Sequence, residues 1–268
     1  MIDLHRRDGR PLRVGHRGAA ALAPENTLRS FRVALDHGVD LIEFDILGLR
    51  RGPLVVAHSH HLDEVSHGAA HGSVDDRSLD ELREVAPELP TFAEALAFFA
   101  EEAPGVGLHV DLKLHTRLDE VAAAIERHGL ESRTVVSSFH VDSLRAVARS
   151  SRRIRIGFTY PEDRFSVSRR PHVWPLVALG LSALRTSVPP RVPRMLRRAG
   201  ATALMLQHRL VTSAAVDRAH AAGSPVLAWT VDTAADLARV EAAGVDGVIT
   251  NDPRIFDGCR GKPVAGRG

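Results

Sequence analysis

His16 and Arg17, Glu43 and Asp45, His58, and then Asp111 and Lys113 each end or follow a short β-rich run of the chain. Glu43 and Asp45 are two apart, so on a strand their side chains face the same way; Asp111 and Lys113 repeat that arrangement. Three carboxylates facing one interior repel one another unless positive charge sits among them. A hard divalent cation with oxygen ligands, Mg2+ or Ca2+, resolves that repulsion, with Glu43, Asp45 and Asp111 sharing it. Arg17 and Lys113 add fixed positive charge for an anionic ligand, and a planar guanidinium suits phosphate oxygens. His16 and His58 titrate near neutrality and can give or take a proton. Together these groups read as machinery for cleaving a phosphate ester. Singly, each has a plainer reading: Glu-Phe-Asp is two polar residues at a strand end, and Asp-x-Lys is a local ion pair worth little when exposed. Their coincidence on separate strand ends favours chemistry.

Something must hold those strand ends together. The chain alternates β-rich runs with Ala/Leu/Arg segments of helical period. Strands are expected at Leu12–Gly15, Leu41–Ile46, Gly107–Leu112, Thr134–Ser138, Ile154–Phe158, Ala203–Leu206, Val226–Thr230 and Gly247–Thr250, with Val55–His58 extending or following the second. Helices are expected at Thr27–His37, Phe92–Glu101, Leu118–His128, Asp142–Arg149, Ser213–Ala222 and Ala234–Ala242, several closed by a glycine such as Gly38 or Gly129. This alternation calls for a parallel sheet with right-handed crossovers. One βα unit per roughly 33 residues is the scale of a (β/α)8 TIM barrel. An open doubly wound sheet is the alternative, but the first turn, Gly15-His16-Arg17-Gly18, lacks the GxGxxG dinucleotide fingerprint. The chain therefore reads as one α/β barrel domain with a core over about residues 12–258 and an insertion at 59–90.

Bulk composition narrows the partners. Lys plus Arg is 35 and Asp plus Glu is 33, so the net charge of +2 leaves no polyelectrolyte. Cys259 is the single cysteine, which excludes an intrachain disulfide framework and a CxxC redox site. Aromatics at 4% argue against a base-stacking platform, so no nucleic-acid partner is expected. No secretory signal or spanning apolar run is visible, which predicts a cytoplasmic protein. Oligomeric state is unreadable.

Gly15-His16-Arg17-Gly18, then Pro24-Glu25-Asn26-Thr27, Glu43-Phe44-Asp45 and the His58 segment resemble the glycerophosphodiester phosphodiesterase family, and the likeness continues to Gly244–Pro253. It covers nearly the whole chain and is weakest over Tyr160–Ala201. The resemblance implies a (β/α)8 barrel that hydrolyses glycerophosphodiesters to glycerol 3-phosphate and an alcohol with a divalent cation. It implies His16 and His58 as the acid–base pair, Glu43 and Asp45 as metal ligands, and Arg17 and Lys113 as phosphate-binding groups. Trp229 would wall the substrate pocket or form part of its core or rim. Pro24–Thr27 would cap the first helix and fix its loop. The chain departs from the family's pattern in three places. Asp111 stands where Glu is usual, Ser59 follows His58 where Asp is common, and Asp232 stands where Asn is common. A related barrel acting on lysophospholipids or other lipid headgroups, and a noncatalytic phospholipid-binding barrel, are the rival readings.

Two regions break the rhythm. Ser59–Glu88 is polar and rich in His and Asp, and reads as a loop excursion with one short helix, Leu79–Val85. Arg152–Arg198 holds 11 Arg against 2 acidic residues, with Trp174, Leu176, Val177, Leu179, Leu181 and Leu184 interleaved. Pro171, Pro175, Pro189, Pro190 and Pro193 forbid one continuous helix there. The segment reads either as solvated barrel exterior or as a peripheral contact with anionic membranes.

Overall fold

The computed structural model describes residues 1–162 and 174–259, with side chains placed for 1–162 and 183–257. Eight parallel strands alternate with helices along it. The strands are β1 (Leu12–His16), β2 (Leu41–Gly48), β4 (Gly107–Leu112), β5 (Thr134–Ser138), β6 (Arg155–Tyr160), β7 (Ala203–Gln207), β8 (Val226–Trp229) and β9 (Gly247–Thr250). They run in the order β1-β9-β8-β7-β6-β5-β4-β2, and pairing of β1 with β2 closes the ring. The expected (β/α)8 TIM barrel is the observed fold. A ninth strand, β3 (Leu54–Val56), pairs antiparallel with β2 and stays outside the barrel.

Between strands lie α1 (Leu28–Asp36), α4 (Phe92–Glu101), α5 (Leu118–Arg127), α6 (Val141–Ser150), α7 (Trp174–Ala199), α8 (Ser213–His220) and α9 (Ala234–Ala242). Their starts follow local chemistry. Thr27, Thr91, Thr212 and Thr233 each cap a helix through the side-chain oxygen, and Thr91 with Glu94 completes a reciprocal capping box.

Strand alternation divides the apolar residues into two layers. Phe44 points outward and joins Phe31, Phe92, Phe98 and Phe99 between barrel and helices, where the Phe44 and Phe99 rings stack at 5.5 Å. Leu12, Val14, Leu41, Val135, Met205, Leu227 and Ile249 form a second cluster, and Leu4 packs with them. Register then sets the polar residues in layers. His16 lies beside Glu43, and Glu43 beside His109; one layer toward the strand ends, Asp45 lies beside Asp111, and Asp111 beside Ser137.

The insertion carries more structure than its polar sequence suggests. Besides α3 (Leu79–Val85), it forms α2 (Leu62–Val65) and a 3-10 turn at Val74–Asp76. Leu47, Leu49, Val55, Ala57, Leu62, Val74, Leu82, Ala86 and Leu89 make a core of their own, separate from the barrel's. The expectation of a single helix fails because the apolar residues are too widely spaced to show a period.

The segment is not one helix, since β6 occupies its start, and Pro171 lies outside the described residues; the expectation that the later prolines break a helix is overturned. α7 runs unbroken through Pro189, Pro190 and Pro193, with Pro175 in its first turn. Pro in the first turn costs no hydrogen bond. The interior prolines free the carbonyls of Arg185, Thr186 and Pro189, the first two on exposed residues and the third on a half-buried one, where water can satisfy them. Val188, Val192, Leu196 and Ala199, spaced for one helical face, are buried in the main core and hold the segment helical despite a cost of about 3 kcal/mol per interior proline.

Candidate active site

The strand ends open on one cavity of about 1270 Å3, part of it continuous with solvent. His16, Arg17, Glu43, Asp45, His58, Asp111, Lys113 and Trp229 all line it. The structure thus brings together every candidate residue drawn from the sequence.

The turn after β1 aims the first two. Gly18 takes φ +85, and a Cβ there would fall 2.3 Å from Ser30 Oγ, so only glycine fits. Arg17 is also left-handed, at φ 51, and its backbone N–H donates to Glu43 Oε2 at 2.9 Å. His16 Nδ1 meets Asn251 Oδ1 at 2.6 Å, while Nε2 stands 3.8 Å from Glu43 Oε2. Burial, with help from the Arg17 charge, pushes the His16 imidazole down to about 3.

Asp45 is bracketed by cations. Arg17 Nε lies 3.1 Å from its Oδ2 and Lys113 Nζ 3.0 Å from its Oδ1. Burial alone would raise this carboxyl, yet Lys113 and Arg17 hold it far below the usual carboxylate range. Lys113 Nζ also donates to Asp111 Oδ2 at 2.6 Å, so one ammonium bridges the two aspartates. Burial disfavours its charge, but Asp111 and Asp45 overcome that and keep it protonated. Asp111 Oδ1 accepts from Ser137 Oγ and, at 3.4 Å, from Thr159 Oγ1. Ser137 Oγ in turn lies 2.8 Å from His109 Nε2. Glu43 is the exception: burial, then the charges of Asp45 and Asp111, push its carboxyl well above its ordinary value.

His58 follows β3 and belongs to the insertion side. Its Nδ1 is 3.6 Å from Glu64 Oε2 on α2, and burial lowers its proton affinity. Trp229 and Phe139 meet in a T-shaped arrangement, ring centres 6.0 Å apart, and Lys113 Nζ sits 5.6 Å from the Phe139 ring centre.

Several functional contacts escape the sequence reading. Pro24–Thr27 does more than cap a helix. Asn26 Nδ2 donates to Asp45 Oδ2 at 3.0 Å, its Oδ1 accepts the Asp45 N–H, and Glu25 takes Arg17 Nη1 at 2.7 Å. Asp232, which stands where the family commonly has Asn, grips Asn251. His109, two residues before Asp111 on the same strand, shares its face, and strand parity is the sequence signal for it.

In kind, Glu43, Asp45 and Asp111 suit a hard divalent cation, and Glu43 is a buried carboxyl whose ionisation burial and the charges of Asp45 and Asp111 disfavour more than Arg17 and Lys113 favour it. As packed, Lys113 stands between the other two. Among the described residues, no three His, Cys, Asp or Glu side chains close into a ligand set.

The model of the Glycerophosphoryl diester phosphodiesterase family matches residues 16–255. A glycerophosphodiester phosphodiesterase of Caldanaerobacter subterraneus is 28% identical over 257 residues, covering 91% of this chain and 95% of its own. The crystal structure of glycerophosphodiester phosphodiesterase from Agrobacterium tumefaciens shares the fold with TM-score 0.71, at 19% identity over 92% of this chain and 99% of that one. An Oleispira antarctica phosphodiesterase, solved with the product sn-glycerol-3-phosphate, does so with TM-score 0.69, at 22% identity over 92% and 96%. Barrel, mouth and matched span agree: this chain belongs to the Glycerophosphoryl diester phosphodiesterase family, a family of phosphoric diester hydrolases.

Proposed function

We propose that this protein hydrolyses glycerophosphodiesters to glycerol 3-phosphate and an alcohol, with one divalent cation shared by Glu43, Asp45 and Asp111. The observation that carries the reading is the convergence of His16 and His58, from separate segments, on a cavity that also holds Arg17 and Lys113. The 28% identical Caldanaerobacter relative, a glycerophosphodiester phosphodiesterase along nearly all its length, supports it.

Arg17 and Lys113 are held charged against Asp45, so both offer fixed positive charge for phosphoryl oxygens once they exchange carboxylate partners for substrate. One imidazole takes the proton of the nucleophile, either water or the substrate's adjacent glycerol hydroxyl. The other protonates the leaving alkoxide as its P–O bond breaks; a cyclic phosphate formed by the hydroxyl is then opened by water. A bound cation would supply Lewis-acid stabilisation of the phosphoryl charge. Because Lys113 already bridges Asp45 and Asp111, cation and lysine compete for the same oxygens. Purified protein incubated with glycerophosphocholine, with and without EDTA, tests the proposal. Release of glycerol 3-phosphate that EDTA abolishes is expected. No release with any added divalent cation would overturn it.

One observation favours the lipid variant of this chemistry. A groove of about 1290 Å3 adjoins the mouth at Phe139; Leu118, Val141, Phe158, Tyr160 and Met195 give it apolar walls for an acyl chain, with His115, His140, Asp142, Ser143 and Arg198 among them. A lysophospholipid cleaved with higher kcat/KM than glycerophosphocholine would establish that reading.

A further inference from the structure

His16 is held by a relay of two side chains from the strand ends beside it. Its Nδ1 faces Asn251 Oδ1 at 2.6 Å, and Asn251 Nδ2 donates to Asp232 Oδ2 at 2.7 Å. Asp232 is itself fixed: its Oδ1 accepts the Asn251 backbone N–H at 2.8 Å and the Thr250 hydroxyl at 3.2 Å. A carboxylate accepts and cannot donate, so the end of the Asn251 amide turned toward Asp232 is its NH2. That leaves the amide oxygen facing the imidazole, and it too only accepts. A neutral imidazole carries one N–H, and the nitrogen that faces Asn251 has to be the one that bears it.

We propose that Asp232, acting through Asn251, is a positioning residue that sets the tautomer of His16, with the proton on Nδ1 and a lone pair on Nε2. On the other side of the ring, no hydrogen bond to Nε2 is formed among the described residues. Its near neighbour is Glu43 Oε2 at 3.8 Å, an oxygen already engaged by the Arg17 N–H. The consequence rests on the phosphodiesterase reading above. His16 enters the cycle as a proton acceptor: the O–H bond of the nucleophile breaks, its proton moves to Nε2, and Nδ1–H stays on Asn251. The resulting imidazolium leans on an amide oxygen whose amide is polarised by Asp232. Protonation of the leaving oxygen then falls to His58.

The test reads the tautomer directly. Nitrogen-15 NMR of the full chain labelled at histidine, with His16→Gln to identify the resonances, is expected to show Nδ1 protonated and Nε2 bare. Asp232→Asn is isosteric. The Asn251 backbone N–H and the Thr250 hydroxyl keep its oxygen in the Oδ1 place, so its new NH2 faces the Asn251 side chain. Asn251 must then turn its oxygen away from His16, and the imidazole proton moves to Nε2. In Asp232→Ala both tautomers coexist and kcat falls roughly tenfold, the usual scale for losing an orienting partner, with KM within about twofold. Nitrogen signals unchanged in both variants, with melting temperatures retained, would overturn the inference; so would a shifted tautomer with unchanged kcat. If Asp232→Ala does not fold, the isosteric variant still decides. A wild-type tautomer as expected in a protein that leaves glycerophosphocholine intact would keep the relay and sink the phosphodiesterase reading. Turnover with Nε2 protonated in the wild type would sink the relay alone.

Discussion

His16 and His58 line the same cavity, but two different parts of the molecule hold them. His16 ends a barrel strand paired on both edges, is gripped at 2.6 Å by Asn251, and is buried deeply enough that its imidazole rests neutral. His58 follows a three-residue strand outside the barrel, packed on an insertion with a separate small core. Its side chain keeps 30% of its exposure, and its Nδ1 is 3.6 Å from Glu64, beyond hydrogen-bond reach. The difference is one of rigidity. The barrel fixes one imidazole through cooperative pairing, whereas the insertion presents the other from a smaller, separate core, and smaller units are where local opening is expected first.

The largest effect expected from this contrast separates the two cores. Phe44→Ala, in the shell between barrel and helices, is expected to lower global stability by about 3–5 kcal/mol. Leu62→Ala removes a fully buried side chain from the insertion core. It is expected to strip hydrogen-exchange protection only from residues 54–89 and to slow turnover, leaving the barrel amides protected. Equal loss of protection everywhere in Leu62→Ala would erase the distinction.

Next come the histidines themselves. His16→Ala and His58→Ala are each expected to lower kcat by roughly 10²-fold or more, the common scale for losing general acid–base help. A folded variant with near-wild-type turnover would remove that imidazole from the pair. Steady-state assays on the folded variants decide.

The cation sharpens the comparison on the barrel side. Asp111→Asn is expected to weaken divalent-cation binding by roughly tenfold or more in titration calorimetry, a magnitude typical of disturbing a ligand or its partner. Asp111→Glu is expected to retain binding through its longer reach. Unchanged affinity in Asp111→Asn would leave Asp111 as the anchor of Lys113 and nothing more.

The smallest effect concerns the basic outer segment. Arg191, Arg194, Arg197 and Arg198 are exposed on α7, while Arg153 pairs with Glu131 at 2.5 Å. The side chains of Trp174, Leu176, Val177, Leu179 and Leu181 lie outside the described ones. None of the described helices is long and apolar enough to cross a membrane. If the segment touches membranes, binding is reversible: co-sedimentation with anionic vesicles at low salt, lost at high salt, at about 1 kcal/mol per engaged basic residue. No pelleting at low salt would leave the segment as barrel exterior.

Much of this molecule is legible residue by residue. Strand alternation put Glu43 and Asp45 on one face and Phe44 on the other, because a β-strand has a period of two whatever it packs against. The helix starts at Thr27 and Thr91 are equally local, each a side-chain oxygen answering an N–H three residues on. The pairing of Asp45 with Asp111, and of Asp111 with Ser137, is not local: it depends on the register in which separate strands meet. The same holds for Asn26 on Asp45 and for Asp232 behind Asn251. Small polar residues in loops have many adequate local partners, and only closure of the ring selects one. The prolines of α7 teach the converse. Local chemistry argued against a helix, and an apolar face buried on the barrel outweighed it. Residue types and periods therefore determined which groups could do chemistry and what scaffold would carry them. Which carboxylate Lys113 bridges, and which side chain turns each imidazole, was decided by contacts between segments far apart in the chain, because their energies exist only once the barrel has closed.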